Sequence, residues 1–260
     1  MPEGPELRLM ADYLNQFKNN SCYGTSKSDV TKVQTPDLTS LHIFRIAESR
    51  GKELILTFEN KDTSKIVRYS FAMGMSGNWL ESKLHGEYPK HSHFIIHFSN
   101  INPVCMIDPR RFAKWKIVNT WNEKRSPDPL LEKTEWYNYF LKKIQKPKYQ
   151  IIPIYELLMD QELFNGVGNY IRAEVLFKMD IHPNLNITNI DINLLHQTIC
   201  QVMEEAYNVG GSQISAFINP NTSDQPKNKG EWQQCYKKPY MAQKEDRHGR
   251  VFWYNPKWNL

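Results

Sequence analysis

Short apolar segments recur between residues 54 and 118, and each is bounded by residues that favour turns. They are Leu54–Phe58, Ile66–Phe71, Phe94–Phe98 and Lys114–Val118. Such runs are typical of β-strands, and regularly spaced strands without helices between them are typical of antiparallel sandwiches and barrels. The sequence therefore predicts an antiparallel β-sandwich between residues 28 and 120.

A helical apolar stripe precedes these strands. It consists of Leu7, Met10, Leu14 and Phe17. Spacings of three and four residues place these side chains on one face of a helix, and Pro5 suits a first helical turn. We expect one helix over residues 5–18.

Beyond the strands the helical period returns, over residues 151–164, 170–179 and 192–206. Between the two regions, residues 122–129 are charged and contain two prolines, which is typical of a linker. The fold class is therefore α+β. The predicted parts are a helix and β-sandwich over 1–122, a linker over 123–134 and a helical domain over 135–260.

Two features of the last 42 residues stand out. Residues 219–231 are polar and contain prolines and a glycine, which predicts a mobile loop. Between residues 237 and 258, His248 and Gly249 separate two segments that favour strands, which predicts a β-hairpin.

Composition excludes some classes of protein. The 260 residues can form a sizeable core, and no run of about 18 apolar residues is present to span a membrane. The N-terminus has neither the basic start nor the apolar run of a secretory signal, so we expect an intracellular protein. The four cysteines, at 22, 105, 200 and 235, form no Cys-x-x-Cys pair, which favours reduced thiols over a disulfide framework or zinc site. The net charge of +5 is a mild bias toward polyanions.

The first residues suggest a chemistry. Removal of Met1 before a proline leaves a secondary amine at Pro2, and such an amine can add to an aldehyde-like carbon to form an iminium. Glu3 follows it, and its carboxylate can transfer protons at the same carbon. The alternative is a simple lead-in to a helix, in which Glu3 interacts favourably with the positive helix start.

Five separated motifs resemble the formamidopyrimidine-DNA glycosylase and endonuclease VIII family. They are Pro2-Glu3-Gly4-Pro5-Glu6, Gly51-Lys52-Glu53-Leu54, Met73-Gly74-Met75-Ser76-Gly77, Asp108-Pro109-Arg110-Arg111-Phe112 and Gly166-Val167-Gly168-Asn169-Tyr170-Ile171-Arg172-Ala173-Glu174. Each motif is weak alone, but five in the family's order span most of the chain. The resemblance implies a helix-two-turn-helix in the second domain. It also implies a bifunctional glycosylase and AP lyase, with a Schiff base at Pro2 and β,δ-elimination.

The resemblance assigns roles to residues in these motifs. Extrusion of a damaged base costs a few kcal/mol and leaves a gap in the duplex. An apolar, a cationic and an aromatic side chain, from Met75, Arg110 and Phe112, are implied to fill it. The alternative places Met75 and Phe112 in the core and Arg110 as a surface charge.

Three further residues resemble phosphate contacts of the family. Lys52 is implied to contact phosphate and assist proton transfer, His91 to bind phosphate, and Asn169 to add a donor at a helix start that suits phosphate. The alternatives are a solvated lysine, an exposed histidine and a capped turn.

The tail departs from the bacterial members, because it lacks the paired cysteines of their zinc finger. Asp246-Arg247-His248-Gly249-Arg250-Val251-Phe252-Trp253 resembles instead the zincless finger of the vertebrate endonuclease VIII-like enzymes. This resemblance implies packing of Phe252, Trp253 and Tyr254 in place of metal. Arg250 is then the finger arginine that binds the phosphate at the lesion and assists δ-elimination, and the alternative is a mere surface charge. The competing role of His248 as a metal ligand is disfavoured.

Taken together, the expected partner is damaged DNA, with duplex, single-stranded and bubble substrates left open. We expect a monomer in the nucleus, cytoplasm or a viral replication site, with no cofactor, metal or membrane. The zincless tail favours oxidised pyrimidines such as thymine glycol and ring-opened purines by analogy alone. Residues 210–229 match no base-recognition pattern. A non-catalytic DNA-binding protein and an RNA-binding helix-two-turn-helix module remain as alternatives.

Overall fold

The computed structural model describes residues 1–26, 38–83, 88–212 and 232–260. Within them the chain forms two compact units. The first unit contains Met1–Pro2 and Leu7–Trp121, and the second contains Glu3–Glu6 and Asn122–Leu260. The predicted mobile loop over 219–231 lies outside the described residues. No helix in the described ranges is long and apolar enough to cross a bilayer.

The first unit consists of most of helix α1 (Gly4–Leu14), a 3-10 turn (Asn15–Phe17) and one antiparallel sheet. Its strands are β1 (Ser21–Ser26), β2 (His42–Arg50), β3 (Glu53–Asn60), β4 (Ile66–Ala72), β5 (Asn78–Glu81), β6 (Ser92–Phe98), β7 (Val104–Ile107) and β8 (Lys114–Ile117). Their order in the sheet is β5-β7-β6-β1-β2-β3-β4-β8. All four segments predicted as strands are strands. The predicted helix ends four residues early, at Leu14, and continues as the 3-10 turn.

Aromatic contacts show that this sheet folds over onto itself. Strands β4 and β6 are separated by three strands in the sheet, yet the Phe71 and Phe94 rings are 5.1 Å apart and meet edge to face. Trp79 of β5 contacts Phe71 in the same way, at 5.2 Å. All three side chains are fully buried, and each such pair contributes about 0.5–1.5 kcal/mol beyond burial alone. The two layers enclose one aromatic core, so the predicted sandwich is confirmed.

The second unit is helical and carries a β-hairpin. Its helices are α2 (Lys133–Lys143), α3 (Pro147–Gln150), α4 (Ile154–Leu157), α5 (Asn169–Met179) and α6 (Ile192–Asn208), with 3-10 turns at Ile187–Asn189 and Pro256–Trp258. The core contains the buried rings of Trp136, Phe140 and Phe164. Asp191 begins α6, because its carboxylate accepts the N–H groups of Asn193 and Leu194.

The helix predicted over 151–164 is wrong for most of its length, since only Ile154–Leu157 is α-helical. Pro153 begins this short helix, and Asp160 then closes a separate turn by accepting the N–H groups of Leu163 and Phe164. The Leu163 and Phe164 side chains are fully buried, so the apolar residues of this segment pack a turn and do not form one face of a helix. Helix α2 lies outside the three segments with a predicted helical period, and its first two residues fall within the linker predicted over 123–134.

The tail forms the predicted hairpin, with β9 (Ala242–Glu245) paired to β10 (Val251–Tyr254). Gly249 lies in its turn at a φ of +70°, a backbone conformation that favours glycine. Phe252 and Tyr254 are buried, and Phe252 stacks on Tyr155 with ring centroids 4.5 Å apart. Of the three aromatic side chains expected to pack the hairpin, Phe252 and Tyr254 are thus buried, whereas Trp253 is half-buried.

A buried carboxylate fixes the chain just before the hairpin. Glu174 of α5 is fully buried, and its two oxygens accept the backbone N–H groups of Gln234, Cys235 and Tyr236 at 2.8–3.0 Å. This segment has no strand or helix of its own. Glu174 therefore provides hydrogen-bond partners that secondary structure would otherwise supply.

We expect Glu174→Gln to lower the free energy of unfolding by about 2 kcal/mol or more, because hydrogen bonds to charged groups contribute about 1.5–3 kcal/mol. The NH2 group of the new amide would also face a backbone N–H group, and two donors cannot form a hydrogen bond with each other. Urea denaturation measures the change. Glu245→Gln, at an exposed carboxylate of β9, is the matched control and should change stability by less than about 0.5 kcal/mol. Equal effects of the two substitutions would contradict this account.

Candidate active site

Glu3 lies at the N-terminus of α5. Its side chain is buried, and the carboxylate oxygens accept the N–H groups of Tyr170 at 3.0 Å and Ile171 at 3.3 Å. The first N–H groups of a helix have no partner within it, and the helix dipole favours negative charge at this end. The carboxylate next to Pro2 is thus held in one position by the second unit.

The glycines of the Gly166-Val167-Gly168 turn make room for this arrangement. A Cβ atom added at Gly168 would lie 2.3 Å from Cδ of Glu3, so any larger residue there would force the Glu3 side chain to move. The backbone N–H of Gly4 donates to the carbonyl of Gly166 at 2.9 Å. The group that lies closest to Gly168 is therefore the Glu3 side chain.

A second carboxylate, that of Glu6, was not singled out from the sequence. It accepts the backbone N–H of Glu3 at 2.8 Å, the Tyr170 hydroxyl at 3.1 Å and the backbone N–H of Ser212 at 2.8 Å. Burial raises the pKa of the Glu6 carboxyl, and these hydrogen bonds oppose the rise. Its position four residues after Pro2 in the N-terminal motif was the available signal.

Lys52 lies in the two-residue turn between β2 and β3, where Arg50 pairs with Glu53. Gly51 precedes it with a φ of +56°, so the tight turn needs a residue that adopts the left-handed conformation. The Lys52 side chain is half-buried. The glycine of the Gly51-Lys52 motif therefore allows the tight turn in which the lysine lies.

Met75 and Phe112 lie on two loops that contact each other. Met75 is 41% exposed and Phe112 is 50% exposed, so the alternative that they are core residues is wrong. The Arg110 guanidinium lies 4.9 Å from the centroid of the Phe112 ring. A Cβ atom at Gly74 would lie 2.7 Å from the Phe112 backbone, so glycine permits the close contact.

Asp108 joins these two loops. Its carboxylate accepts a hydrogen bond from the Ser76 hydroxyl and from the backbone N–H groups of Arg110 at 3.2 Å and Ala113 at 2.6 Å. Burial alone would raise the pKa of Asp108, but these hydrogen bonds outweigh it and lower the pKa. One ionised carboxylate thus presents Met75, Arg110 and Phe112 together.

His91 contacts the same loop through its backbone. It has a φ of +65°, and its carbonyl accepts the N–H of Asp108 at 3.0 Å. The neighbouring His93 is buried, with Nε2 3.0 Å from the Asp108 carbonyl. The alternating histidines therefore differ in role, because His93 supports the loop while the His91 side chain is half-buried.

Asn169 and Arg250 are both held within the second unit. The Asn169 side chain donates to the carbonyl of Val251 at 2.6 Å and accepts a hydrogen bond from Arg172. Nε of Arg250 donates to the Asp246 carboxylate at 2.9 Å. Asn169 therefore links α5 to the hairpin, a contact that the sequence did not indicate.

Within the described ranges, no group of three or more His, Cys, Asp or Glu side chains is arranged to hold a metal ion. Cys235 is fully buried, and burial raises the pKa of its thiol to about 12. His248 lies in the exposed hairpin turn beside Arg247.

Comparison with known proteins adds an independent observation. The model of the formamidopyrimidine-DNA glycosylase N-terminal domain matches residues 1–115, and that of the formamidopyrimidine-DNA glycosylase H2TH domain matches residues 126–218. The chain belongs to the formamidopyrimidine-DNA glycosylase and endonuclease VIII family.

Relatives include both branches of this family. Endonuclease 8-like 1 of Mus musculus is 29% identical over 286 residues, which cover 98% of this chain and 72% of that protein. Formamidopyrimidine-DNA glycosylase of Lactococcus lactis is 29% identical over 191 residues, which cover 70% of this chain and 66% of that protein. The crystal structure of the wild-type Lactococcus lactis enzyme with DNA containing an oxidised pyrimidine has a TM-score of 0.79, at 22% identity over 99% of both chains. The last comparison establishes the fold.

The two units of this glycosylase divide the predicted site residues. The first unit carries Pro2, Lys52, Met75, His91, Arg110 and Phe112, and the second carries Glu3, Asn169 and Arg250. Within the first unit the structure brings Met75, Arg110 and Phe112 together around Asp108. Within the second it brings Glu3 and Asn169 to the first turn of α5.

Because the pKa of Asp108 is lowered in the folded protein, its contribution to folding stability depends on pH in a definite direction. An Asp has an ordinary pKa near 3.8, so the ionised Asp108 stabilises the fold fully above about pH 4, and this contribution is lost as the pH falls through the lowered folded-state value. We expect Asp108→Asn to be less stable than the wild type at pH 7, with the difference shrinking below about pH 4.

Urea denaturation from pH 7 downward measures this effect. Asp62→Asn, at an exposed carboxylate in the β3–β4 turn, is the control and should follow the wild-type profile. A stability difference for Asp108→Asn that stays constant with pH would show that its charge has no such role.

Proposed function

We propose that the nucleophile of this enzyme is the secondary amine of Pro2, freed by removal of Met1. As a member of its family, the chain is a DNA glycosylase with AP lyase activity in the base excision repair of oxidised bases. The amine attacks C1′ of the damaged nucleotide while the bond from C1′ to the base breaks. Opening of the sugar then gives a cationic iminium that withdraws electrons from the sugar carbons.

The position of the Glu3 carboxylate is the main observation that supports this proposal. A carboxylate next to the amine can transfer protons at the sugar, provided that it is held within hydrogen-bond reach. The hydrogen bonds from Tyr170 and Ile171 hold it, and Gly168 leaves the space that it occupies. A protein that only binds DNA could use this carboxylate at the start of α5, but it has no need for a free amine at Pro2 beside it.

Lys52 and Arg250 take the later steps in this scheme. After β-elimination breaks the C3′–O bond, δ-elimination breaks the C5′–O bond, and each step releases a phosphate. Lys52 contacts phosphate and assists proton transfer, and Arg250 binds the phosphate at the lesion. His91 and Asn169 are proposed as further phosphate contacts.

Met75, Arg110 and Phe112 occupy the gap that the extruded nucleotide leaves. Their exposure and the Arg110–Phe112 contact support this role, because exposed apolar and aromatic side chains on a braced loop pair can stack on bases. All three are presented by one carboxylate, so they would enter the duplex as one group.

The proposed substrates are oxidised pyrimidines such as thymine glycol and ring-opened purines in DNA. This proposal is supported by the relatives named endonuclease 8-like 1 and formamidopyrimidine-DNA glycosylase. We propose a monomer whose hairpin finger needs no metal and which acts on genomic DNA inside the cell.

The Pro2 mechanism is tested by borohydride trapping on a labelled duplex that contains one thymine glycol or abasic site. We expect a covalent adduct with the processed protein and none with a form that carries a short extension before Pro2. Lys52→Met should still form the adduct but should slow strand cleavage by about 100-fold, the scale of general acid–base catalysis. An adduct that survives the extension and disappears in Lys52→Met would transfer the nucleophile to Lys52.

The gap-filling role is tested by Phe112→Ala. Base stacking on an aromatic ring contributes about 1–3 kcal/mol, so excision from duplex DNA should fall by about 5- to 150-fold. Cleavage at a preformed abasic site should fall less, because no base has to be extruded. Ile117→Ala, at a residue of β8 that is 45% exposed, is the matched control and should leave both rates unchanged. Equal losses on the two substrates would argue against gap filling.

A further inference from the structure

Three charged side chains meet at the base of the hairpin, and we call them the Arg172–Asp246–Arg250 triad. Oδ2 of Asp246 accepts hydrogen bonds from Nη1 of Arg172 at 3.1 Å and from Nε of Arg250 at 2.9 Å. The side chains of Arg172 and Asp246 are completely buried, and that of Arg250 is 36% exposed. A buried carboxylate thus joins helix α5 to the one arginine of the triad that reaches the surface.

Asp246 also fixes the backbone of the hairpin turn. Its other oxygen, Oδ1, accepts the N–H groups of His248 at 2.9 Å and Arg250 at 3.1 Å. The backbone N–H of Asp246 donates to the carbonyl of Arg250 at 2.9 Å. Both the main chain and the guanidinium of Arg250 are therefore held by the same residue.

Arg172 is itself held on several sides. It donates to the carbonyl of Tyr155 at 3.0 Å and to the Asn169 side chain, and its guanidinium lies 5.1 Å from the centroid of the Phe252 ring. Asp246 is thereby bonded to a side chain of helix α5 that is itself fixed by other contacts. The direction of Arg250 is consequently set from the helical core.

The remaining donors of Arg250 are suited to a phosphate. Its Nε is used by Asp246, and its two terminal nitrogens make no hydrogen bond to any part of the chain that the structure describes. Two parallel N–H donors of one guanidinium match two oxygens of a phosphate. Two arginines and one carboxylate leave a net charge of +1, so Asp246 orients the cation without cancelling the attraction.

We infer that Asp246 is the positioning residue of Arg250: it turns the guanidinium so that its two free nitrogens grip the phosphate released in δ-elimination. The inference rests on the role proposed above for Arg250. It assigns to Asp246 no contact with the substrate. A carboxylate is required because either orientation of an asparagine amide would set its NH2 group against existing N–H donors.

The test is a double-substitution cycle of Asp246→Asn and Arg250→Gln, with strand cleavage measured in single turnovers at a preformed abasic site. We expect Arg250→Gln to slow δ-elimination by 100-fold or more and Asp246→Asn by about 10-fold or more, the scale of a misplaced catalytic group. In both, β-elimination should change little, so the products shift toward the β-eliminated strand. Asp246→Asn should have no further effect in the Arg250→Gln background.

Two controls separate a loss of folding from a loss of positioning. Thermal unfolding identifies a variant that has lost its structure, and Glu245→Gln, at an exposed carboxylate beside Asp246, should leave the product ratio at the wild-type value. A general loss of stability lowers both eliminations together and does not move their ratio.

Other outcomes overturn the inference in distinguishable ways. If Asp246→Asn slows δ-elimination by the same factor with and without Arg250, or leaves the product ratio unchanged while Arg250→Gln alters it, Asp246 does not act through Arg250. If Arg250→Gln keeps the wild-type ratio, the role proposed for Arg250 fails, and the positioning role of Asp246 fails with it.

Discussion

The first turn of α5 is the part of this enzyme on which its second unit depends. A helix start has N–H groups that the helix cannot satisfy, and here the carboxylate of Glu3 accepts two of them. In this first turn Asn169 also donates to the carbonyl of Val251 in the hairpin. Three residues further on, Arg172 donates to the carboxylate of Asp246. The candidate proton carrier and the candidate phosphate-binding arginine are therefore positioned by the same few residues.

This dependence explains why small residues matter around the turn. Gly168 leaves the space for Glu3, and the Gly166 carbonyl receives the N–H of Gly4. A side chain at position 168 would displace Glu3 without touching any reacting group. The motif from Gly166 to Glu174 thus combines backbone room at its start with buried side-chain partners further on, at Arg172 and Glu174.

The sequence predicts those parts of the fold whose signals come from neighbouring residues. Strands and the hairpin have a short period and clear turn residues, so the sandwich and the β9–β10 pair were predicted. Local pattern failed where tertiary contacts decide, as in the buried turn at Leu163 and Phe164 that was predicted to be helical. The motifs named Glu3 and Arg250 as candidates, but no spacing indicates that Asp246 pairs with an arginine 74 positions away.

The buried Arg172–Asp246 pair is better explained by geometry than by stability. Removing two charges from water is expensive, and apolar residues of similar size often stabilise a fold equally well or better. A hairpin of two four-residue strands is marginal alone, yet the stacking of Phe252 on Tyr155 and the bond from Asn169 to Val251 already attach it. Apolar contacts can hold the hairpin in place, but they cannot turn the guanidinium plane of Arg250. A carboxylate anchored by a second arginine can turn it, so the positioning role inferred for Asp246 accounts for a charged pair at this place in the fold.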